Sequence, residues 1–101
     1  MIVNSKSIPV HHWEHSLWYV RTFSSEMLPS ERPGYEYMAT WLDHGGCESM
    51  LFVTYGMERD LLRAGLDISA IKGQTVRMRK QYLKTTQGGP LQSFFQVEIC
   101  Q

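Results

Sequence analysis

Residues 17–23 (LWYVRTF) alternate between apolar and polar positions and are rich in aromatic and β-branched side chains, which predicts a strand. Residues 24–33 (SSEMLPSERP) are polar and contain two prolines, so a ten-residue loop is expected there. Alternation resumes in residues 34–42 (GYEYMATWL), with Tyr35, Tyr37, Ala39 and Trp41 on the side expected to face the core, and residues 47–55 (CESMLFVTY) are strand-like again. Between them Asp43, His44, Gly45 and Gly46 predict a tight reversal, because a residue without Cβ enters positive φ at little cost.

The period then changes. In residues 57–64 (MERDLLRA) Met57, Leu61 and Ala64 fall on one helical face, Glu58 and Asp60 sit near the positive helix end, and Gly65 is placed to cap the other. Two further strands are expected at residues 75–83 (TVRMRKQYL) and 91–99 (LQSFFQVEI), joined by the glycine-containing turn at 84–90 (KTTQGGP).

The chain has 101 residues, 10 Lys and Arg against 10 Asp and Glu, and 43% hydrophobic residues. That is the profile of one small folded domain and excludes disorder, collagen and coiled coil. No run approaches the roughly 18 apolar residues of a membrane-spanning helix, and residues 1–10 (MIVNSKSIPV) lack the apolar segment of a secretory signal. A soluble, cytoplasmic chain with no membrane partner is therefore expected. Only about 60–70% of the unfolded surface can be buried at this size, which favours binding on a surface over catalysis in a deep site. No cofactor is expected. Cys47 and Cys100 lack the spacing of zinc or redox motifs and are expected to be buried or spectator thiols.

Three strands, one helix and two strands is the element order of the five-stranded OB barrel, and closing the sheet removes edges that invite aggregation. The expected fold is thus mainly β: a small OB-like barrel (β-β-β-α-β-β) over residues 17–101, preceded by an N-terminal arm at 1–16. Within the arm, Ser7 and Pro9 suit the start of a short helix, yet the same residues suit an extension of the first strand. The stretch from Leu66 through Ile71, Lys72-Gly73 and Val76-Arg77-Met78-Arg79, then Gly88-Gly89-Pro90 and Val97-Glu98-Ile99, resembles the last two strands of OB-fold domains of nucleic-acid-binding type. In that pattern a Leu-rich turn and "KG" precede a V-R-V-R strand and "GP" precedes the final one. Lys80 departs from it, standing where a glycine bend is usual.

Net charge is zero, which argues against a general nucleic-acid binder, but the charge is unevenly spread. Residues 68–101 carry Lys72, Arg77, Arg79, Lys80 and Lys84 against Glu98 alone. Single strands are held by cations and stacking rings together. The preferred expectation is accordingly a non-catalytic module for single-stranded nucleic acid or another extended anionic polymer, with phosphate contacts from Arg77, Arg79, Lys80 and Lys84 and stacking on Tyr82 and Phe94. It requires a closed cylinder whose cations are left unneutralised. The alternative is a structural or protein-interaction domain, including a homodimer, that docks through Met38, Met50 and Phe52.

His11, His12 and His15 are weaker candidates, for metal, because His11 and His15 would share a helical face at chelating spacing. The order His-His-Trp-Glu-His is not the zinc-protease motif, which needs Glu directly after the first His. His44 and Cys47 lack an oxyanion hole and an orienting third group, so no nucleophile is assigned to them.

Overall fold

The structure is a computed structural model and describes residues 8–84 and 91–100. In chain order it contains β1 (Tyr19–Phe23), β2 (Leu28–Pro29), β3 (Tyr37–Leu42), β4 (Glu48–Val53), helix α1 (Tyr55–Arg63), a single 3-10 turn (Ile68–Ala70), β5 (Thr75–Lys84) and β6 (Leu91–Cys100). All the strands join one antiparallel sheet. The described residues are mainly β with one α-helix, as their periodicities imply.

The loop expected at residues 24–33 is partly strand. β1 and β2 lie along the same edge of β3, with Phe23 opposite Trp41 and Leu28 opposite Met38. They are one strand interrupted by a bulge, across which Ser24 N–H donates to the Thr40 carbonyl (2.9 Å) and Thr40 N–H donates to Ser25 Oγ (2.8 Å). β3 continues the sheet to β4, while β1 also pairs with β5, and β5 with β6 over ten positions.

Alternation determines which side chains meet inside. Ala39 and Trp41 of β3, Leu51 and Val53 of β4, and Val76 and Met78 of β5 are buried together with Phe23. The Trp41 indole N–H donates to Ser49 Oγ at 2.9 Å, so the largest core side chain leaves no donor unpaired. Helix α1 closes the bottom of this core with Met57 and Leu61. It starts two residues before the expected position because Thr54 Oγ1 accepts from Met57 N–H (3.2 Å) as N-cap. It ends in a Schellman motif: Gly65 N–H donates to Leu62 O (3.0 Å), Leu66 N–H donates to Leu61 O (3.2 Å), and Gly65 adopts φ +95°. Leu61 and Leu66, the hydrophobic pair of that motif, are both buried.

The sheet does not close into a barrel: among the described residues no ladder joins β4 to β6. Both edges that would meet are occupied by other groups. On the β4 edge Met50 N–H donates to Pro9 O and His11 N–H to Met50 O, each at 2.8 Å, in a parallel bridge between Val10 and Met50. On the β6 edge Phe95 N–H donates to Asp60 Oδ2 of α1 at 3.1 Å. Edge groups satisfied in this way no longer drive closure.

The segment over this seam is extended, which overturns the helical alternative for the arm from residue 8 onward; Ser7 lies outside the described residues. It passes from the β4 edge to β5, where Ser16, at φ +63°, donates its N–H to Lys80 O (3.0 Å). Among the described residues no helix is long and apolar enough to cross a membrane.

Candidate functional site

β5 divides the expected cation track between the two faces of the sheet. Arg77 and Arg79 point to the outer face, where their cross-strand neighbours are Glu98 and Gln96, and Phe94 lies opposite Gln81 on that same face. Arg77 Nε donates to Glu98 Oε1 at 2.9 Å, and Arg79 donates to Gln96 Oε1. Both guanidinium groups also cover the Trp18 ring, at 4.2 and 4.5 Å from its centroid. Arg77 is therefore neutralised within its own surface. Lys80 and Tyr82 continue the Val76–Met78 face instead, with Lys80 Nζ 5.4 Å from the Tyr82 ring and 5.9 Å from that of Phe95. The side chain of Lys84 and the Gly88-Gly89-Pro90 turn lie outside the described residues. Of the side chains expected to form one track, the five described ones are split between the two faces, Arg77, Arg79 and Phe94 on one and Lys80 and Tyr82 on the other.

Met38, Met50 and Phe52, by contrast, do meet. Register places Met38 opposite Phe52 and Thr40 opposite Met50 on the outer face of β3 and β4, with Leu28 beyond Met38. Leu28 is 47% exposed, and Val10, beside Met50, is 54% exposed. Tyr35 was expected in the core but belongs to this face, because β3 begins only at Tyr37 and Tyr35 is held in a turn by its N–H bond to Arg32 O (3.2 Å). Its ring lies 5.3 Å from that of Phe52. The Arg32 guanidinium covers both rings, 4.8 Å from Phe52 and 5.3 Å from Tyr35. Sequence reasoning passed over Arg32 because it sits in a segment read only as loop.

A cleft of about 220 Å³ opens where the outer face meets the seam. Arg32, Tyr35 and Phe52 line its β4 side, Trp13, Lys80 and Phe95 its other side, and the core residues Leu51 and Met57 reach into it. Its lining contains two cations and no carboxylate. A shallower hollow of about 430 Å³ runs along α1 between Tyr55, Glu58, Arg59, Leu62 and Arg63, where charges of both signs are mixed.

The three histidines separate. His11 stands edge-on to Trp13, Tyr19 and Trp41, with ring centroids 4.4, 4.5 and 5.0 Å away. Burial, assisted by the charges of Arg21 and His12, lowers its pKa to about 4, so it is neutral at pH 7. Its Nε2 is shielded from solvent and has no hydrogen-bond partner among the described residues. His12 is exposed, and His15 lies against the Tyr82 ring at 5.0 Å. An extended backbone removes the shared helical face on which chelation by His11 and His15 depended, and the described residues hold no cluster of three potential ligands. Cys47 and Cys100 are free thiols. In comparisons with known proteins the chain matches no protein family, no curated protein and no solved structure.

Proposed function

We propose that this chain is a non-catalytic binding module for single-stranded nucleic acid, with the ligand lying on the outer face of β3 and β4 rather than along β5. The observation that carries this reading is the Arg32 guanidinium resting on the Phe52 and Tyr35 rings. A cation beside stacking platforms is the combination that holds a single strand without reading its sequence. The connectivity supports it as well. If β1 with β2 is taken as a first strand, the pairings follow those of an OB domain in which the arm and Asp60 replace the last ladder. In OB domains the face of the second and third strands, here β3 and β4, is the ligand surface. Zero net charge implies modest affinity that weakens as salt rises.

Titration of oligothymidylate followed by fluorescence anisotropy tests the reading. Binding is expected at roughly 50 mM salt and should weaken at 200 mM, with Arg32→Ala reducing it at both. Flat titrations at low salt overturn it.

A second reading, a protein-interaction or homodimeric domain, is favoured by one specific observation: exposed Leu28 and Val10 extend the Met38–Met50–Phe52 face with apolar surface that a nucleic acid does not need. Sedimentation equilibrium separates the two. A concentration-dependent dimer that Leu28→Glu dissociates, together with a flat oligonucleotide titration, selects the second reading.

A further inference from the structure

We propose that the seam cleft is a socket for one aromatic base, whose two neighbouring phosphates meet Arg32 on one wall and Lys80 on the other. This rests on the nucleic-acid reading above and names the part of the site that a strand enters. At about 220 Å³ the cleft is smaller than the roughly 300 Å³ at which ordinary small-molecule sites begin, which suits a single planar ring. Phe52 of β4, Trp13 of the arm and Phe95 of β6 all line it, so a base inserted there has aromatic neighbours from three separate segments.

The position of the charges selects the occupant. Arg32 lies 4.8 Å from the Phe52 ring and Lys80 5.9 Å from that of Phe95, so one cation accompanies the β4 ring of the lining and the other the β6 ring. A strand crossing the seam supplies an anion on each side of the base it inserts. An apolar peptide side chain would fill the same volume but leave both cations without a counter-charge. His11, neutral at pH 7 and packed behind Trp13, adds no third charge.

A free nucleotide and a polymer share this chemistry, so the test uses both, on the full chain. The indole N–H resonance of Trp13 is followed by NMR while oligothymidylate, an abasic oligomer of equal length, or thymidine monophosphate is added. The expected result is a Trp13 shift with oligothymidylate, and abasic-oligomer binding weaker by at least roughly tenfold, the worth of one stacked base. Arg32→Ala and Lys80→Ala should each reduce the slope of log K against log salt by about 0.7. Thermal melting confirms that both variants fold.

Oligothymidylate binding that leaves Trp13 unmoved and is indifferent to Lys80→Ala overturns the socket while the nucleic-acid reading stands. Thymidine monophosphate binding as tightly as the oligomer supports the socket but assigns it to a free nucleotide and overturns the polymer reading. A Trp13 resonance unmoved by any of the three overturns the socket, and overturns the nucleic-acid reading too if the oligomer also fails to bind.

Discussion

Acidification from pH 7 to pH 4.5 should unfold this protein more easily, and His11 should account for most of the change. In the unfolded chain its imidazole titrates near 6.5; in the fold, enclosed by Trp13, Tyr19 and Trp41, it titrates at about 4. Between those values the unfolded chain binds a proton that the native state refuses, so stability falls as pH drops. The stability is fully present above about 6.5, is lost progressively toward 4, and changes no further below that on account of this group. The full difference corresponds to roughly 3 kcal/mol, and because the ring is only partly withdrawn from water, a loss of about 1.5–2 kcal/mol is the expected size. Urea unfolding at pH 7.0, 5.5 and 4.5 measures it. His11→Phe keeps a flat ring in the cage but has nothing to protonate, so its stability should stay nearly constant over that range. Asp43 is held below the ordinary carboxylate range chiefly by accepting the Cys47 N–H, and Asp67 by its bonds to Ser69. Their losses come as pH falls below about 4, outside this window. Equal pH dependence in the wild type and the Phe variant would refute the argument.

Three other outcomes are expected. Asp60→Ala removes the acceptor of Phe95 N–H on the β6 edge and should cost about 1–3 kcal/mol in chemical denaturation, with Asp60→Asn recovering part of it. Gly65→Ala forces a side chain into φ +95°; the added Cβ would sit 3.7 Å from Ile99, an ordinary contact, so a loss of about 1–2 kcal/mol reflects backbone strain alone and should appear as a lower melting temperature. Arg77→Ala breaks an exposed pair with Glu98 and a contact with the Trp18 ring, and should change stability by about 1 kcal/mol and leave oligonucleotide affinity within twofold, whereas Arg32→Ala should lower that affinity. Parallel anisotropy titrations of the two variants make the comparison.

Where local chemistry decides structure, the sequence was a good guide. The Asp43–Gly46 reversal forms, although only Gly46 takes positive φ, because the Asp43 carboxylate accepts the Gly45 and Cys47 N–H groups (2.9 Å each) and makes the rest of the turn. Helix α1, its Gly65 cap and the burial of Ala39, Trp41, Val76 and Met78 likewise follow from period and capping. Closure of the barrel was not legible, because it depends on competition for two strand edges between distant parts of the chain: Pro9 and His11 on β4, Asp60 on β6. The candidate site divided in the same way. Alternation correctly placed Arg77 and Arg79 outside, yet no local pattern shows that Glu98 stands opposite Arg77 or that Trp18 lies beneath both guanidiniums. Met38, Met50 and Phe52 share an outer face, as expected of an apolar run on both faces of a strand, which must leave one face outward. Tyr35 was misplaced because alternation was extended two residues past the true start of β3.

Two backbone hydrogen bonds to Met50 attach the arm to the β4 edge, whereas Trp41 lies under several strands with no exposed surface. At a net worth of about 1 kcal/mol each, such bonds, with the packing of His11 and Trp13 against Trp41, hold the arm less firmly than the core is held, so it lifts away while the rest of the sheet stays intact. Amide protons of His11 and Met50 should therefore exchange with deuterium long before that of Trp41, by excursions that do not require global unfolding. The seam is thus the part of the sheet that opens first, ahead of any loss of the core.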